Sequence, residues 1–441
     1  MPFLRTNVPP GQIIAAGALM PQPGEIIPQA GIAIEHGRIA AAGPVDQLRS
    51  RFPGMGEQHF PDHILCPGFV NAHTHLELSF LREKIPGPIA FPDWVLQLFA
   101  QMPQPVDAED VIRDATQKGA AECIRFGVTT VGDITRWPEI TRPTLADGPL
   151  RVISFGEVTG LGRRRHMLQV RLDAALSNQA AGEYLSIGLS PHAPYSVEGP
   201  ALQQIVAVAE KYQLPLTMHL AENAEEGEFL ATLDGPLGRS WPLMQKLEIL
   251  DEQVPRFIGG PIRWSQHYGL LADKNLKNVA DFRSMPVVLA HVNYADDTEL
   301  KILADSGASV AWCPRTHAYF GHHRRGEHPW RKMLAHCIPV CLATDSLASN
   351  PDLSPLREAC HVWRGHPQIS PVMLMEMITT RPAQALGLSE QVGRLAAGFS
   401  ADAILLPLYP SVGTNPQAIC AAIVQNAPEP SAVWLMGRRM K

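Results

Sequence analysis

The segment "PGFVNAHTHLELSF" (67–80) places two histidines, His73 and His75, one residue apart at the end of an apolar run. On a β-strand, residues i and i+2 point to the same face, so both imidazoles would project together. Two histidines can lie on an exposed strand end without binding anything. They can also be half of a metal site, and that hypothesis requires further ligands elsewhere in the chain.

Three other apolar segments end in the same kinds of residue. His219 follows "LPLTM", His291 follows "PVVLA" and Asp345 follows "PVCLAT". One histidine at a strand end is commonly structural, whereas four histidines and an aspartate in this context favour a metal site. Imidazole and carboxylate ligands suit Zn²⁺, and Fe²⁺ or Mn²⁺ would also accept them. We therefore expect one divalent metal ion as cofactor, with Zn²⁺ as the first candidate.

The chain around these residues alternates between short apolar segments and longer stretches with apolar residues at helical spacing, such as "DVIRDATQKGAAECIRF" and "PALQQIVAVAEKYQ". The predicted strands are "HILCPGFVNAHTH", "GVTTVGDIT", "RVISFGEV", "LSIGLSPH", "LPLTMHLAE", "PVVLAHVNY", "ASVAWCPR" and "PVCLATDS". Eight β-α repeats predict an α/β fold, a (β/α)8 TIM barrel with its catalytic residues at the carboxyl ends of the strands. An open doubly wound sheet is the alternative, but no G-x-G-x-x-G follows the first strand. The fourth strand ends without the lysine that a binuclear site would use as a bridge, so we expect a mononuclear site.

The two ends of the chain have a different pattern, with short strands separated by turn residues. "GIAIEHGRIAAAGP" predicts a hairpin around His36-Gly37, and "GRLAAGFSADAILLPL" and "SAVWLMGRR" predict strands near the other end. Strands from both ends can pair, since chain termini often lie close together. We expect a small composite β-sandwich from residues 1–65 and 391–441, beside a metal-dependent barrel of residues 66–390.

Composition narrows the classes of function. A net charge of −6 argues against a nucleic-acid-binding surface, and no C-x-x-C accompanies a His-x-Glu as in zinc deaminases that act on nucleic acids. No apolar run reaches the ~18 residues that span a bilayer, and the first residues lack the pattern of a signal peptide. The seven scattered cysteines indicate a reducing compartment. We expect a cytoplasmic protein with no membrane or nucleic-acid partner.

The motifs "PGFVNAHTH", "SPHAPY", "HLAE", "LAH" and "ATDSLASN", in this order, resemble those of the amidohydrolase superfamily, in its cytosine, guanine and adenosine-type deaminase and chlorohydrolase branch. The similarity spans nearly the whole chain, including the terminal strands, which in that family form a composite β-sandwich beside the barrel. The metal ligands that the resemblance implies are His73, His75, His219 and Asp345. Homodimers are common in the resembled family.

The resemblance also implies how protons move. Asp345 takes a proton from the attacking water, which His291 polarises or orients. Attack on an amino-substituted ring carbon places negative charge on the neighbouring ring nitrogen, and Glu222 donates a proton there before ammonia leaves. The alternative for Glu222 is a solvated helix start, since "AENAEEGEF" is acidic.

Four further residues are expected to contact the substrate. His192, in "SPHAPYS", and Trp94, in "FPDWVLQL", follow the fourth and first strands; the alternatives are a structural histidine and a core tryptophan. Arg315 and His317 directly follow the seventh strand, and a charged fork there would suit a carboxylate or phosphate. One arginine of the run 163–165 is also expected to face inward.

The expected substrate is a small molecule, an aminated purine in an adenosine-like nucleoside. Relatives that act on S-adenosylhomocysteine or methylthioadenosine place an acid after the tryptophan helix to hold the ribose hydroxyls, and "AQMPQPVD" has no clear equivalent. "HTHLELS", the Phe91 and Trp94 pair and the altered loop after the seventh strand look more like aminodeoxyfutalosine deaminases, whose nucleoside carries a benzoate. The alternatives are a related amidohydrolase that cleaves a cyclic amide or displaces chloride, and a non-catalytic scaffold, which should have lost the metal ligands.

Overall fold

The computed structural model describes residues 11–146, 148–177, 182, 184–272, 285–409 and 413–441, and residues 1–10 of the predicted first segment lie outside this set. It contains two sheets. Eight strands form the larger sheet, in the order β12-β11-β10-β9-β8-β7-β6-β5. They are β5 (Phe69–Thr74), β6 (Val128–Thr135), β7 (Arg151–Val158), β8 (Leu185–Pro191), β9 (Leu216–Leu220), β10 (Val287–His291), β11 (Ser309–Trp312) and β12 (Val340–Leu342).

Every ladder of this sheet is parallel, and the sheet closes on itself. A parallel bridge joins Thr74 to Asp345, and the Asp345 amide donates to the His73 carbonyl oxygen at 3.2 Å. The first strand therefore pairs with the segment that follows the last one. This closure confirms the barrel expected from the eight β-α repeats.

The smaller sheet has seven strands, in the order β15-β14-β13-β4-β1-β2-β3. They are β1 (Gln12–Leu19), β2 (Ile27–Glu35), β3 (Arg38–Pro44), β4 (Gly56–Pro67), β13 (Ala403–Pro407), β14 (Ala432–Leu435) and β15 (Arg438–Arg439). Its core packs isoleucines and leucines from both ends of the chain around the buried Trp434. The predicted composite unit is thus confirmed. The hairpin at His36-Gly37 is present, with both residues at positive φ as a tight turn requires.

The helices pack on the barrel, lie in the loops at its carboxyl end or, like the first one, pack on the composite sheet. They are α1 (Val45–Arg51), α2 (Phe91–Ala100), α3 (Ala108–Arg125), α4 (Pro138–Ala146), α5 (Leu168–Leu176), α6 (Gly199–Tyr212), α7 (Glu226–Thr232), α8 (Pro242–Leu247), α9 (Pro261–His267), α10 (Asp297–Ser306), α11 (Pro314–Tyr319), α12 (Trp330–Ala335), α13 (Pro355–Gly365), α14 (Pro371–Glu376), α15 (Thr380–Ala385) and α16 (Pro416–Asn426). Within the described ranges, no helix is long and apolar enough to cross a membrane.

The first predicted strand divides into two at Gly68, a difference from the sequence prediction. Residues before Gly68 belong to β4 of the composite sheet and residues after it belong to β5 of the barrel. A Cβ atom at Gly68 would lie 2.3 Å from the Thr129 side chain, so only glycine permits this close approach. The apolar run is continuous through the junction because both parts are buried, and periodicity therefore could not reveal it.

Candidate active site

Three histidines from two strand ends meet at the carboxyl end of the barrel. One ring nitrogen from each of His73, His75 and His219 lies within 4.8 Å of the other two. His75 Nε2 and His219 Nε2 are 3.2 Å apart. Asp345 Oδ1 lies 3.6 Å from His73 Nε2 and 3.7 Å from His75 Nε2. The structure thus brings together the four side chains that the sequence analysis expected to bind a metal.

The chemical state of these groups fits a cation. Both ring nitrogens of His73 are buried and have no hydrogen-bond partner among the described residues. An unpaired buried polar atom costs free energy, which a bound metal would offset. Burial lowers the pKa of His73 and His75 well below the ordinary value, and lowers the pKa of His219 to about 4. All three imidazoles are therefore neutral at pH 7, the form that binds metals.

Hydrogen bonds to the ligand atoms that face away from the centre orient these side chains toward it. His219 Nδ1 donates to the His192 carbonyl oxygen at 3.0 Å, which leaves Nε2 free for the metal. Ser349 Oγ donates to Asp345 Oδ2 at 2.7 Å, which leaves Oδ1 facing the histidines. Asp345 has a φ of 56° and His291 a φ of 72°, both in the left-handed region. Such strained residues persist where the surrounding structure fixes them, and they cluster at functional sites.

Glu222 and His291 lie beside this centre as a pair, with Glu222 Oε1 3.7 Å from His291 Nε2. The backbone carbonyl oxygen of Glu222 accepts a hydrogen bond from Asn293 Nδ2 at 2.9 Å, and the His291 carbonyl oxygen lies 2.8 Å from His328 Nε2. Burial, reinforced by Asp345, raises the pKa of Glu222 well above its ordinary value. A protonated carboxyl group next to the metal centre can act as a general acid.

A cavity opens from this centre and has three regions. The metal centre forms its floor. The second region, the apolar chamber, is lined by residues of α2, α8 and neighbouring loops, namely Phe91, Trp94, Val95, Leu98, Phe99, Met102, Leu161, Trp241, Leu243, Met244, Leu247 and Ile249. The third region, the charged wall, consists of Arg136, Glu157, Arg164 and Arg171.

Two of the four predicted substrate contacts line this cavity. His192 lies next to the metal centre, with its ring 5.1 Å from the ring of His219. Trp94 lines the apolar chamber, where it stacks on Phe91 at 5.7 Å. Its indole N–H donates to the Ala348 carbonyl oxygen at 3.0 Å, so its ring rather than its polar atom is available to a ligand.

The structure does not bring the other two, Arg315 and His317, to the cavity. Arg315 Nε donates to Glu358 Oε1 at 2.6 Å, and Arg315 Nη2 donates to Asp352 Oδ1 at 2.8 Å. The His317 ring packs 5.6 Å from that of His322, away from the residues that line the cavity. α11 begins at Pro314, and Arg315 at its start is directed toward carboxylates of the following segment rather than into the cavity, so the charged fork at this position stays a prediction.

The charged wall contains residues that the sequence analysis left open or missed. In the arginine run, Arg163 pairs with Glu248, Arg165 pairs with Glu198 and Asp251, and Arg164 lines the cavity. Glu157 was missed, although it is the penultimate residue of a buried strand, the same signal that identified the histidines.

A zinc measurement tests the metal centre. We expect the His219→Ala variant to purify with little zinc, whereas the wild-type chain carries about one ion, because a structural or catalytic zinc site needs three or four ligands. Elemental analysis after dialysis gives the metal content, and circular dichroism checks the fold. His166→Ala, at an exposed histidine, is the control. Wild-type zinc content in His219→Ala would contradict the assignment.

A stability measurement tests the new role of Arg315. Replacing Arg315 by Met leaves the buried Glu358 without a cationic partner and leaves Asp352 with Arg357 alone, which we expect to destabilise the chain by about 3–5 kcal/mol. Arg163→Met breaks an exposed ion pair and should cost less than about 1 kcal/mol. Thermal unfolding of both variants gives the comparison. A substrate contact would instead change KM at an unchanged Tm.

Comparisons with known proteins agree with this geometry. A 5-methylthioadenosine/S-adenosylhomocysteine deaminase of Saccharophagus degradans is 25% identical over 420 residues, covering 91% of this chain and 84% of the relative. An aminodeoxyfutalosine deaminase of Deinococcus radiodurans is 28% identical over 361 residues, covering 78% of each chain. The crystal structure of an adenosine deaminase from Xanthomonas campestris with bound zinc has the same fold, with a TM-score of 0.77 at 20% identity over 97% of this chain and 92% of that chain.

Family models give the broadest match. A model of the imidazolonepropionase-like composite domain of bacteria matches residues 30–54, within the composite sheet. The model of the amidohydrolase family matches residues 64–440, which include the whole barrel and every residue of the metal centre. The chain belongs to the amidohydrolase family.

Proposed function

We propose that this protein is a zinc-dependent deaminase that hydrolyses the purine amino group of an adenosine-like nucleoside with an anionic tail, for which aminodeoxyfutalosine is the first candidate. The observation that carries the proposal is the Glu222–His291 pair beside three neutral histidines and Asp345 at the floor of the cavity. The names of the relatives, deaminases of methylthioadenosine, S-adenosylhomocysteine and aminodeoxyfutalosine, support the same reaction class.

Three side chains at the floor of the cavity have distinct roles in this reaction. When bound, zinc supplies Lewis acidity that lowers the pKa of a water ligand to about 7. Asp345, whose carboxylate Ser349 holds in place through Oδ2, accepts the proton of the attacking water. His291 Nε2 orients that water. Glu222 gives its proton to the ring nitrogen next to the carbon under attack.

The products result from replacement of the amino group by the oxygen of the water. Water adds its oxygen to the ring carbon, the bond from that carbon to the amino group breaks, and ammonia leaves with the proton that Asp345 took from the water. The proton from Glu222 stays on the ring nitrogen, and the second proton of the water returns Glu222 to its acid form. The ring keeps a carbonyl group in place of the amino group. Because the groups that donate and accept are buried, the protons pass between side chains and substrate rather than to bulk solvent.

The charge of the wall is an argument for a substrate with an anionic tail. It contains three guanidinium groups and one carboxylate, so it has an excess of positive charge. Arg171 is anchored to the Thr159 carbonyl oxygen at 2.9 Å and Arg136 faces Glu157. Arg164 has no ion-pair partner among the residues that the structure describes. A carboxylate can form charge-assisted hydrogen bonds with such a group. The apolar chamber beside the wall suits an aromatic or aliphatic connection to that carboxylate.

Ammonia release tests the substrate class. We expect the zinc-loaded enzyme to prefer aminodeoxyfutalosine over adenosine and methylthioadenosine, which lack a carboxylate. Arg164→Met should lower kcat/KM for aminodeoxyfutalosine by about 10- to 100-fold, the value of one hydrogen bond to a charged group, and leave adenosine nearly unchanged. Arg163→Met, whose side chain faces Glu248 instead, is the matched control. No ammonia from any nucleoside would exclude the proposed function, and release of another leaving group would replace it.

Substitution of Glu222 tests its proposed role as the general acid. The amide of Glu222→Gln has nearly the same shape but cannot transfer a carboxyl proton, so we expect kcat to fall by about 10²- to 10⁴-fold. Zinc content should stay at the wild-type level because Glu222 is not a ligand in this assignment. Glu225→Gln, which changes a carboxylate paired with Arg325, should retain most activity. Near-normal turnover by Glu222→Gln would remove this residue from the mechanism.

A further inference from the structure

Four carboxylates line the cavity, and one of them has no assigned task. Glu222 and Asp345 belong to the metal centre. Glu77 accepts hydrogen bonds from Thr135 Oγ1 at 2.5 Å and from the Arg136 amide at 3.0 Å, so its oxygens are already engaged. Glu157 accepts no side-chain or backbone hydrogen bond from any described residue. The side-chain nitrogens nearest to it are Arg136 Nε at 3.4 Å and His192 Nε2 at 3.9 Å.

The position of Glu157 makes this lack of hydrogen-bond donors costly. It is the penultimate residue of β7, and only 8% of its side chain is exposed. Burial raises the pKa of Glu157, and Arg136 offsets this effect only in part. A buried carboxylate normally accepts several hydrogen bonds, and one that has none costs free energy until a donor arrives. Because Glu157 lines the cavity, a ligand can supply that donor.

His192 presents a second free polar atom to the same space. Its Nδ1 lies 2.6 Å from Ser196 Oγ, so Nε2 is the ring nitrogen that faces Glu157. Hydroxyl groups suit both atoms, since one hydroxyl can donate to the carboxylate and a neighbouring hydroxyl can donate to or accept from the imidazole. An anionic ligand group is unsuited to Glu157 because the two charges would repel.

The location of this pair indicates which hydroxyl groups would bind. His192 contacts the metal centre through His219, whereas Glu157 lies beside Arg136 within the charged wall. In a nucleoside, the sugar connects the base to the tail. We infer that Glu157, together with His192, binds the hydroxyl groups of the substrate's sugar and makes the enzyme selective for ribonucleosides. The inference rests on the proposed function, with the purine at the metal centre and the tail at the charged wall.

A comparison of sugars tests the inference. The probes are adenosine, 2′-deoxyadenosine and 3′-deoxyadenosine, assayed by ammonia release with the zinc-loaded wild-type enzyme and Glu157→Gln. We expect the wild type to prefer adenosine over at least one deoxy compound by about 10- to 100-fold, as for a hydrogen bond to a charged group. Glu157→Gln should lose most of that preference, chiefly through slower reaction of adenosine. If adenosine turns over slowly, the three compounds are compared by their inhibition constants against aminodeoxyfutalosine.

Further variants separate recognition from structure. Glu157→Asp keeps the charge beside Arg136 but withdraws the carboxylate, so it should also reduce the ribose preference while retaining the fold and the zinc. Glu248→Gln, an exposed acid paired with Arg163, should keep the wild-type ratio. An equal loss of activity on all three sugars would show that Glu157 is only a counter-ion of Arg136 and would overturn the inference. A wild-type enzyme without ribose preference would also overturn it, and one that deaminates no nucleoside would overturn the proposed function as well.

Discussion

The structure depends on the burial of three imidazole rings against one another at the end of a closed barrel. His73, His75 and His219 are almost entirely removed from solvent, and both ring nitrogens of His73 have no protein partner among the described residues. Burial of polar atoms in this way is unfavourable unless a cation completes their coordination. Metal binding and the stability of this end of the barrel are therefore linked, since an ion that binds only the folded chain adds its binding free energy to folding.

Closure of the barrel creates this arrangement. The bridge between Thr74 and Asp345 joins the first strand to the segment after the last strand, so residues about 270 apart in sequence become neighbours, as in the Thr74 Oγ1 hydrogen bond to the Asp345 carbonyl oxygen. The same bridge sets the backbone of Asp345 in the left-handed region and turns its carboxylate toward the histidines. A change that opened the barrel at this point would separate the ligands before it exposed much of the core.

The barrel and the metal centre could be predicted from the sequence because the pattern that indicates them is local. An apolar strand that ends in a histidine or an acid can be recognised within ten residues, and the parallel arrangement brings all such ends to one place. The role of Arg315 could not be recognised in this way, because its partners Asp352 and Glu358 lie 37 and 43 residues further along the chain. Distant residues also determine which of the three consecutive arginines 163–165 faces the cavity. Acids on other loops bind Arg163 and Arg165, so Arg164 is the one that lines the cavity.

Chemistry and selectivity therefore reside in different parts of the fold. In the proposed mechanism, the groups that handle the metal and the protons are at strand ends, where hydrogen bonds in the sheet fix their positions to the accuracy that catalysis needs. The apolar chamber is built instead from α2, α8 and the loops near them, which are connected by a hydrogen bond from Trp241 Nε1 to the Pro92 carbonyl oxygen at 3.3 Å. Loops tolerate substitution far better than a buried sheet does. Under the proposed function, a change of substrate would therefore require substitutions in the apolar chamber and the charged wall rather than at the strand ends. Glu157 lies at the boundary between these parts, since it is fixed by a strand yet faces the region where selectivity is decided.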